Sequence, residues 1–170
     1  MAPVLVYFII RGNPGLFKWF LAISFFTDVI DGYLARKHKV TSILGAHLDS
    51  IGDDLTILAA VVGMFVFKLE FIKSELILVG ILLFLFLVQN VLAFIRYKKV
   101  TSFHTYITKT AAVFQGVFII LLFFLPEPVY PLFYVTAVIT ALALIEEIII
   151  VLVLPGWEAN VKGLYWVIKK

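Results

Sequence analysis

The chain has 170 residues, 63% of them hydrophobic, and a formal charge of only +3. Soluble domains are nearer half apolar, so a water-soluble globular protein is excluded, and so small a charge gives no reason to expect nucleic acid as a partner. The absence of cysteine removes a disulfide framework and thiol chemistry.

The apolar runs are long and unbroken, where a membrane barrel shows short alternating strands. They predict an all-α, polytopic membrane helix bundle forming a single domain over residues 1–170. Residues 1–10 are apolar but too few to cross a bilayer. They carry no signal-peptide pattern and read as the second half of a first helix, cut short. Arg11-Gly12-Asn13-Pro14-Gly15 is a turn. Residues 16–36 form a span, 37–44 a short polar connection and 45–67 a second span. A loop at 68–74 is followed by a span at 75–95 and a longer polar connection at 96–109. Spans at 110–125 and 132–154 flank a proline-rich turn, and the last of them carries Glu146 and Glu147. The tail, 155–170, reads as an interfacial, partly amphipathic segment. The chain has no internal repeat.

Alternate ends of the spans collect ten basic residues on one side and four on the other. The richer side is expected in the cytoplasm. At that side lie four aspartates in otherwise apolar sequence, Asp28 and Asp31, then Asp49 and Asp53. Charges in such a setting are costly and mark functional sites. Spacings of three and four put each pair on one helix face, and a short connection makes the two helices antiparallel neighbours. The result is a box of carboxylates whose mutual repulsion a divalent cation would relieve. Hard oxygen donors favour Mg²⁺, Mn²⁺ or Ca²⁺ over zinc. Gly32, Ala35 and Gly45 leave space beside the box, with Arg36 at its mouth. Such a site suits a phosphate-containing substrate and, at a membrane surface, a lipid. Asp54 is a weaker candidate, with a solvent-facing position as its alternative reading, and His47 and His104 read as polar interfacial residues.

The pattern Asp28-x-x-Asp31-Gly32-x-x-Ala35-Arg36, eight residues, then Gly45-x-x-x-Asp49-x-x-x-Asp53 resembles the signature of the CDP-alcohol phosphatidyltransferases. All eight fixed positions are present at the right spacing. The resemblance implies a six-helix membrane fold, here with its first helix truncated. It implies transfer of a phosphatidyl group from CDP-diacylglycerol to a small alcohol, with release of CMP, in phospholipid biosynthesis. It implies a Mg²⁺ or Mn²⁺ cofactor held by Asp28, Asp31 and Asp49. Asp53 would be the general base and a further metal ligand. Asp28, Gly32, Ala35, Arg36 and Gly45 would bind the CDP moiety. The active site would lie at the cytoplasmic face of the cell membrane, and a homodimer would be consistent with the family's habit.

The sequence departs from members that form phosphatidylglycerophosphate, which often have Asp-Pro and Asp-Lys where this chain has Asp49-Ser50 and Asp53-Asp54. It also lacks the family's usual N-terminal interfacial segment. The basic connection admits two readings. It could meet anionic lipid headgroups, or Arg96 and Lys109 could grip an acceptor phosphate. Lys109-Thr110, with Gln115 beyond, resembles glycerophosphate-using members and favours sn-glycerol 3-phosphate. Phosphatidylserine or phosphatidylinositol-phosphate synthesis is the alternative, and a divalent-cation carrier is the alternative of another class. For Glu146 and Glu147 a basic partner is expected, such as Arg36, Arg96 or Lys109.

Overall fold

The computed structural model describes the backbone of residues 1–37 and 43–169, and their side chains except at 28, 29, 31–37, 43, 44, 46, 47, 49 and 50. Among the described residues every regular element is helical: α1 (Ala2–Ile10), α2 (Pro14–Lys37), α3 (Ile43–Phe67), α4 (Leu69–Ser74), α5 (Leu76–Tyr97), α6 (Tyr106–Phe124), α7 (Tyr130–Val153) and α8 (Leu164–Ile168). The expected membrane helix bundle is what forms. α5, α6 and α7 are long and apolar enough to cross a membrane. Met1–Ser74 and Ile119–Pro128 make one compact unit, and Glu75–Phe118 and Val129–Lys170 make another. α6 therefore contributes to both.

The first unit begins with a sharp corner. Gly12 takes a left-handed φ of +61°, its amide donates to Ile9 O and the Asn13 amide donates to Phe8 O. This is a Schellman closure of α1, and glycine supplies the left-handed conformation at no steric cost. Asn13 then caps α2, its Oδ1 accepting from the Leu16 amide at 3.0 Å, with Pro14 at the first helical position, where its fixed φ suits a helix start. Phe17 is fully buried between Phe67 of α3, 5.4 Å away between ring centroids, and Phe123 of α6, 4.9 Å away. It lies directly over Gly63: a Cβ there would stand 2.4 Å from the Phe17 ring. In lipid, helices associate through close van der Waals packing rather than through expulsion of water, so a small residue under a large one matters. An early α2 residue thus meets late α3 residues, and the two helices run antiparallel, as their short connection predicts.

The stretch expected as a loop at 68–74 contains α4. Its Phe71 and Ile72 are buried while Glu70 and Lys73 stay exposed in a 3.2 Å ion pair; burying those two apolar groups favours a helical turn here. Lys68, just before α4, donates from Nζ to Leu125 O at 3.2 Å. Burial, and secondarily the charge of Lys18, push its pKa down.

In the second unit α5 and α7 run side by side in the same direction. Near their starts Tyr134 donates to Glu75 at 2.8 Å. Near their ends the Tyr97 hydroxyl lies 3.1 Å from Val151 O and 2.8 Å from Leu154 O. Small and hydroxyl residues of α7, among them Thr136, Ala137, Thr140 and Ala143, are buried. The outer faces carry exposed Ile77, Phe84, Leu87 and Val138, which suit a lipid surround. Polar side chains are satisfied inside their own helices where they can be. Ser24 donates to Phe20 O, Thr56 to Gly52 O and Thr136 to Leu132 O, the i−4 bond open to a hydroxyl in an apolar medium.

Gly63→Val should lower the thermal midpoint in detergent, by a cost of about 1–3 kcal/mol for overpacking a filled contact. Gly80→Val is the control: nothing lies within 4 Å of a Cβ at Gly80, and the midpoint should scarcely move. Equal losses in the two variants would contradict the packing described for Phe17.

Candidate active site

The Phe17–Gly63 crossing works as a ruler for the acidic motif. Asp31 on α2 and Asp49 on α3 each lie fourteen residues from it along their helices, roughly 21 Å at 1.5 Å per residue. Asp28 and Asp53 lie eleven and ten residues away, roughly 16 and 15 Å. The antiparallel pair therefore carries its four aspartates at matching levels, Asp28 beside the level of Asp53 and Asp31 beside that of Asp49. A slip of one helical turn between α2 and α3 would shift them by about 5.4 Å and spoil the match.

The side chains of Asp28, Asp31, Gly32, Ala35, Arg36 and Asp49 lie outside the described residues. Those of Asp53 and Gly45 are described, and both residues are exposed. Asp54, the weaker candidate, is half-buried on the same helix. The described residues alone gather no group of three metal-ligating side chains, and three of the four motif aspartates are not among them. The donor types fit a hard divalent cation: the motif supplies four aspartates, with Gly32 and Gly45 in the same stretch of sequence.

The expected acceptor residues belong to the second unit. Arg96 stands in the last turn of α5 and Lys109 in the first turn of α6, and both are exposed. Each lies over a neighbouring tyrosine ring, Arg96 at 6.0 Å from the centroid of Tyr97 and Lys109 at 5.9 Å from that of Tyr106. Gln115, the other residue of the acceptor resemblance, commits an amide hydrogen to Thr140 Oγ1 at 2.9 Å. That bond gives it a packing role between α6 and α7.

The connection between α5 and α6 is shorter and more ordered than its polar sequence predicts. α6 starts four residues before the expected 110, because Thr105 caps it: Thr105 Oγ1 accepts from the Thr108 amide at 3.1 Å. Only 98–105 remain between the helices, and Ser102, Phe103 and Thr105 are buried. Phe103 enters a core with Ala93 of α5, Ile150 and Val151 of α7, and Val161 of the tail.

Glu146 and Glu147 are hydrogen-bonded from several segments. Glu147, 7% exposed, accepts from Gln89 at 2.9 Å, Thr101 at 3.2 Å and Thr108 at 3.0 Å. Glu146 accepts from Thr105 at 2.7 Å and from the Leu164 amide at 3.0 Å. These donors are neutral; of the basic partners named from the sequence, the Arg36 side chain lies outside the described residues. Although the two residues point about 100° apart, both are used, because the connection and the tail fold over this end of α7 from different sides. The residues that sequence reasoning passed over are Gln89, Thr101, Thr105 and Thr108. Their signal is the run of hydroxyls in Thr101-Ser-Phe-His-Thr-Tyr-Ile-Thr108 opposite two glutamates that an apolar helix cannot leave unpartnered.

Against known proteins, a family model described as CDP-alcohol phosphatidyltransferase matches residues 1–154. Among curated proteins, a CDP-diacylglycerol–inositol 3-phosphatidyltransferase of Saccharomyces cerevisiae is 39% identical over 53 residues, 31% of this chain and 24% of that protein. A CDP-diacylglycerol–glycerol-3-phosphate 3-phosphatidyltransferase of Haemophilus influenzae is 41% identical over 56 residues, 33% of this chain and 30% of that protein. The matches thus take in less than a third of either relative's length. No solved structure matches significantly.

The register of α2 and α3 can be tested directly, since the chain contains no native cysteine. The pair Asp28→Cys with Asp53→Cys should cross-link under mild oxidation. The pair Asp28→Cys with Met64→Cys, the residue that follows Gly63 at the α2–α3 crossing, should not. Preferential cross-linking of the second pair would overturn the register.

Proposed function

The chain belongs to the CDP-alcohol phosphatidyltransferase family, and from that premise we propose that it transfers a phosphatidyl group from CDP-diacylglycerol to a small alcohol, releasing CMP. The observation that carries this reading is the level match of the two aspartate pairs across antiparallel α2 and α3. Three long apolar helices and family membership make it an integral membrane protein. The excess of basic residues at the ends bearing the aspartates supports an active site at the cytoplasmic face.

In this reading Asp28, Asp31 and Asp49 hold Mg²⁺ or Mn²⁺, with Asp53 at its edge. Such a cation, when bound, neutralises diphosphate charge and makes CMP a better leaving group. Gly32, Ala35 and Gly45 leave room for the CDP moiety, and Arg36 meets its phosphates. Asp53 is exposed, so a water-borne acceptor can reach it. Its carboxylate takes the proton of the acceptor hydroxyl as that oxygen bonds to the phosphatidyl phosphorus. The bond from that phosphorus to CMP breaks, and its electron pair leaves with CMP.

The acceptor we favour is sn-glycerol 3-phosphate, gripped by Arg96 and Lys109. Lys109-Thr110 supports it, and one relative's name carries that substrate. Asp49-Ser50 and the name of the yeast relative favour an inositol-type acceptor as the second reading.

Purified protein given labelled CDP-diacylglycerol, Mg²⁺ or Mn²⁺ and a panel of alcohols should release CMP with one acceptor far above the rest. Chelation should stop release, and added cation should restore it. Asp53→Asn should cut turnover by about 10²–10⁴-fold, the usual contribution of a positioned base, with CDP binding retained. Normal turnover in that variant would remove Asp53 from the role of base. Lys109→Ala should raise the KM for sn-glycerol 3-phosphate far more than that for CDP-diacylglycerol.

A further inference from the structure

Residues 98–105 are held from two sides. On one side is the tail beyond α7. Trp157 Nε1 donates to Val100 O at 3.0 Å, the Asn160 amide donates to Ser102 O at 2.9 Å, and the Tyr106 amide donates to Lys162 O at 3.2 Å. On the other side are the two glutamates of α7, which take Thr101, Thr105 and Thr108. The two sets interleave along the chain. Positions 100, 102 and 106 go to the tail, and 101, 105 and 108 go to the glutamates.

Glu146 closes the circuit. One carboxylate oxygen accepts from Thr105 and the other from the amide of Leu164. The tail reaches Glu146 through Gly163, whose φ is +154° and whose Cβ, if present, would stand 3.1 Å from Glu146 Oε1. Buried Val161 anchors the same segment in the core beside Phe103. The tail lies past residue 154, where the family match ends.

We infer that the tail and the Glu146–Glu147 pair form a clamp that positions Lys109, and through it sets how tightly the acceptor is held. This rests on the proposed role of Lys109. The physical link is short. Lys109 directly follows Thr108 in the first turn of α6, and its amide donates to Thr105 O at 3.0 Å. A helix's first turn frays unless its end is satisfied. Here the cap residue Thr105 is itself held by Glu146, and Thr108 by Glu147. The aspartate motif lies on other helices, in the other compact unit. A loosened clamp should therefore be felt by the acceptor and not by the donor. Glu146, Glu147 and Trp157 are positioning residues in this scheme.

The test uses the full chain in detergent or nanodiscs. Trp157→Phe keeps the ring and removes the donor, and Glu146→Gln keeps the shape and removes one acceptor. Each should speed amide hydrogen exchange across residues 99–109, since local opening governs exchange there. Each should raise the KM for sn-glycerol 3-phosphate about fivefold, the worth of one net hydrogen bond, with the KM for CDP-diacylglycerol unchanged. Unaltered exchange at 99–109 in the folded variants would overturn the clamp. Equal rises in both KM values would reduce it to general stability. Lys109→Ala runs alongside: an unchanged KM for sn-glycerol 3-phosphate there would remove the acceptor role of Lys109, while the exchange data still judge the clamp.

Discussion

Lipid supplies no hydrogen bonds, and each polar group in an apolar chain must find its partner within the protein. Much of the structure follows from that constraint. Ser24, Thr56 and Thr136 turn back on their own helices. Asn13 and Thr105 close helix starts. Glu147, which cannot turn back, draws in a glutamine from α5, a threonine from the connection and a threonine from α6. A pair of acidic residues near the end of one helix, with Glu146 also holding the tail through the Leu164 amide, thereby organises four other segments. Lone carboxylates would be expensive here, whereas carboxylates that accept several hydrogen bonds act as hubs.

The same constraint separates two kinds of acidic residue. Glu146 and Glu147 meet donors that the chain itself provides. The motif aspartates occupy matching levels along two antiparallel helices, Asp31 with Asp49 and Asp28 with Asp53, and the proposed function gives them a cation that would relieve their mutual repulsion. Hydrophobic matching of α2 and α3 sets the level, chiefly through Phe17 over Gly63. A packing contact roughly three to four turns away thus sets the level of the motif along the two helices.

The helices and the motif were readable because their signals are local. Unbroken apolar runs mark spans, and the spacings of the aspartates survive without any tertiary knowledge. Boundaries were readable where a chemical stop is written in the chain, as at Gly12-Asn13-Pro14. They were misread where tertiary contacts decide. α4 forms because Phe71 and Ile72 are buried, and nothing in their immediate neighbours says so. α6 begins early because Thr105 is held by a glutamate forty-one residues away. The hydroxyls, the amide side chain and the backbone amide that bond Glu146 and Glu147 were passed over for the same reason, since they come from segments distant in sequence. The motif side chains other than Asp53 and Gly45 lie outside the described residues, so their part of the site rests on spacing, register and family.

The tail touches the connection in a particular way. Its three hydrogen bonds end on the carbonyls of Val100 and Ser102 and on the amide of Tyr106, groups that every non-proline residue possesses. Those three bonds do not read side chains, although Lys99, whose Nζ lies 4.9 Å over the Trp157 ring, and Phe103, in the core with Val161, also meet the tail. The exposed Lys109, just beyond the segment, can therefore be replaced without breaking those three bonds. The backbone is held by groups common to almost every residue, while the side chain displayed at Lys109 is free to change.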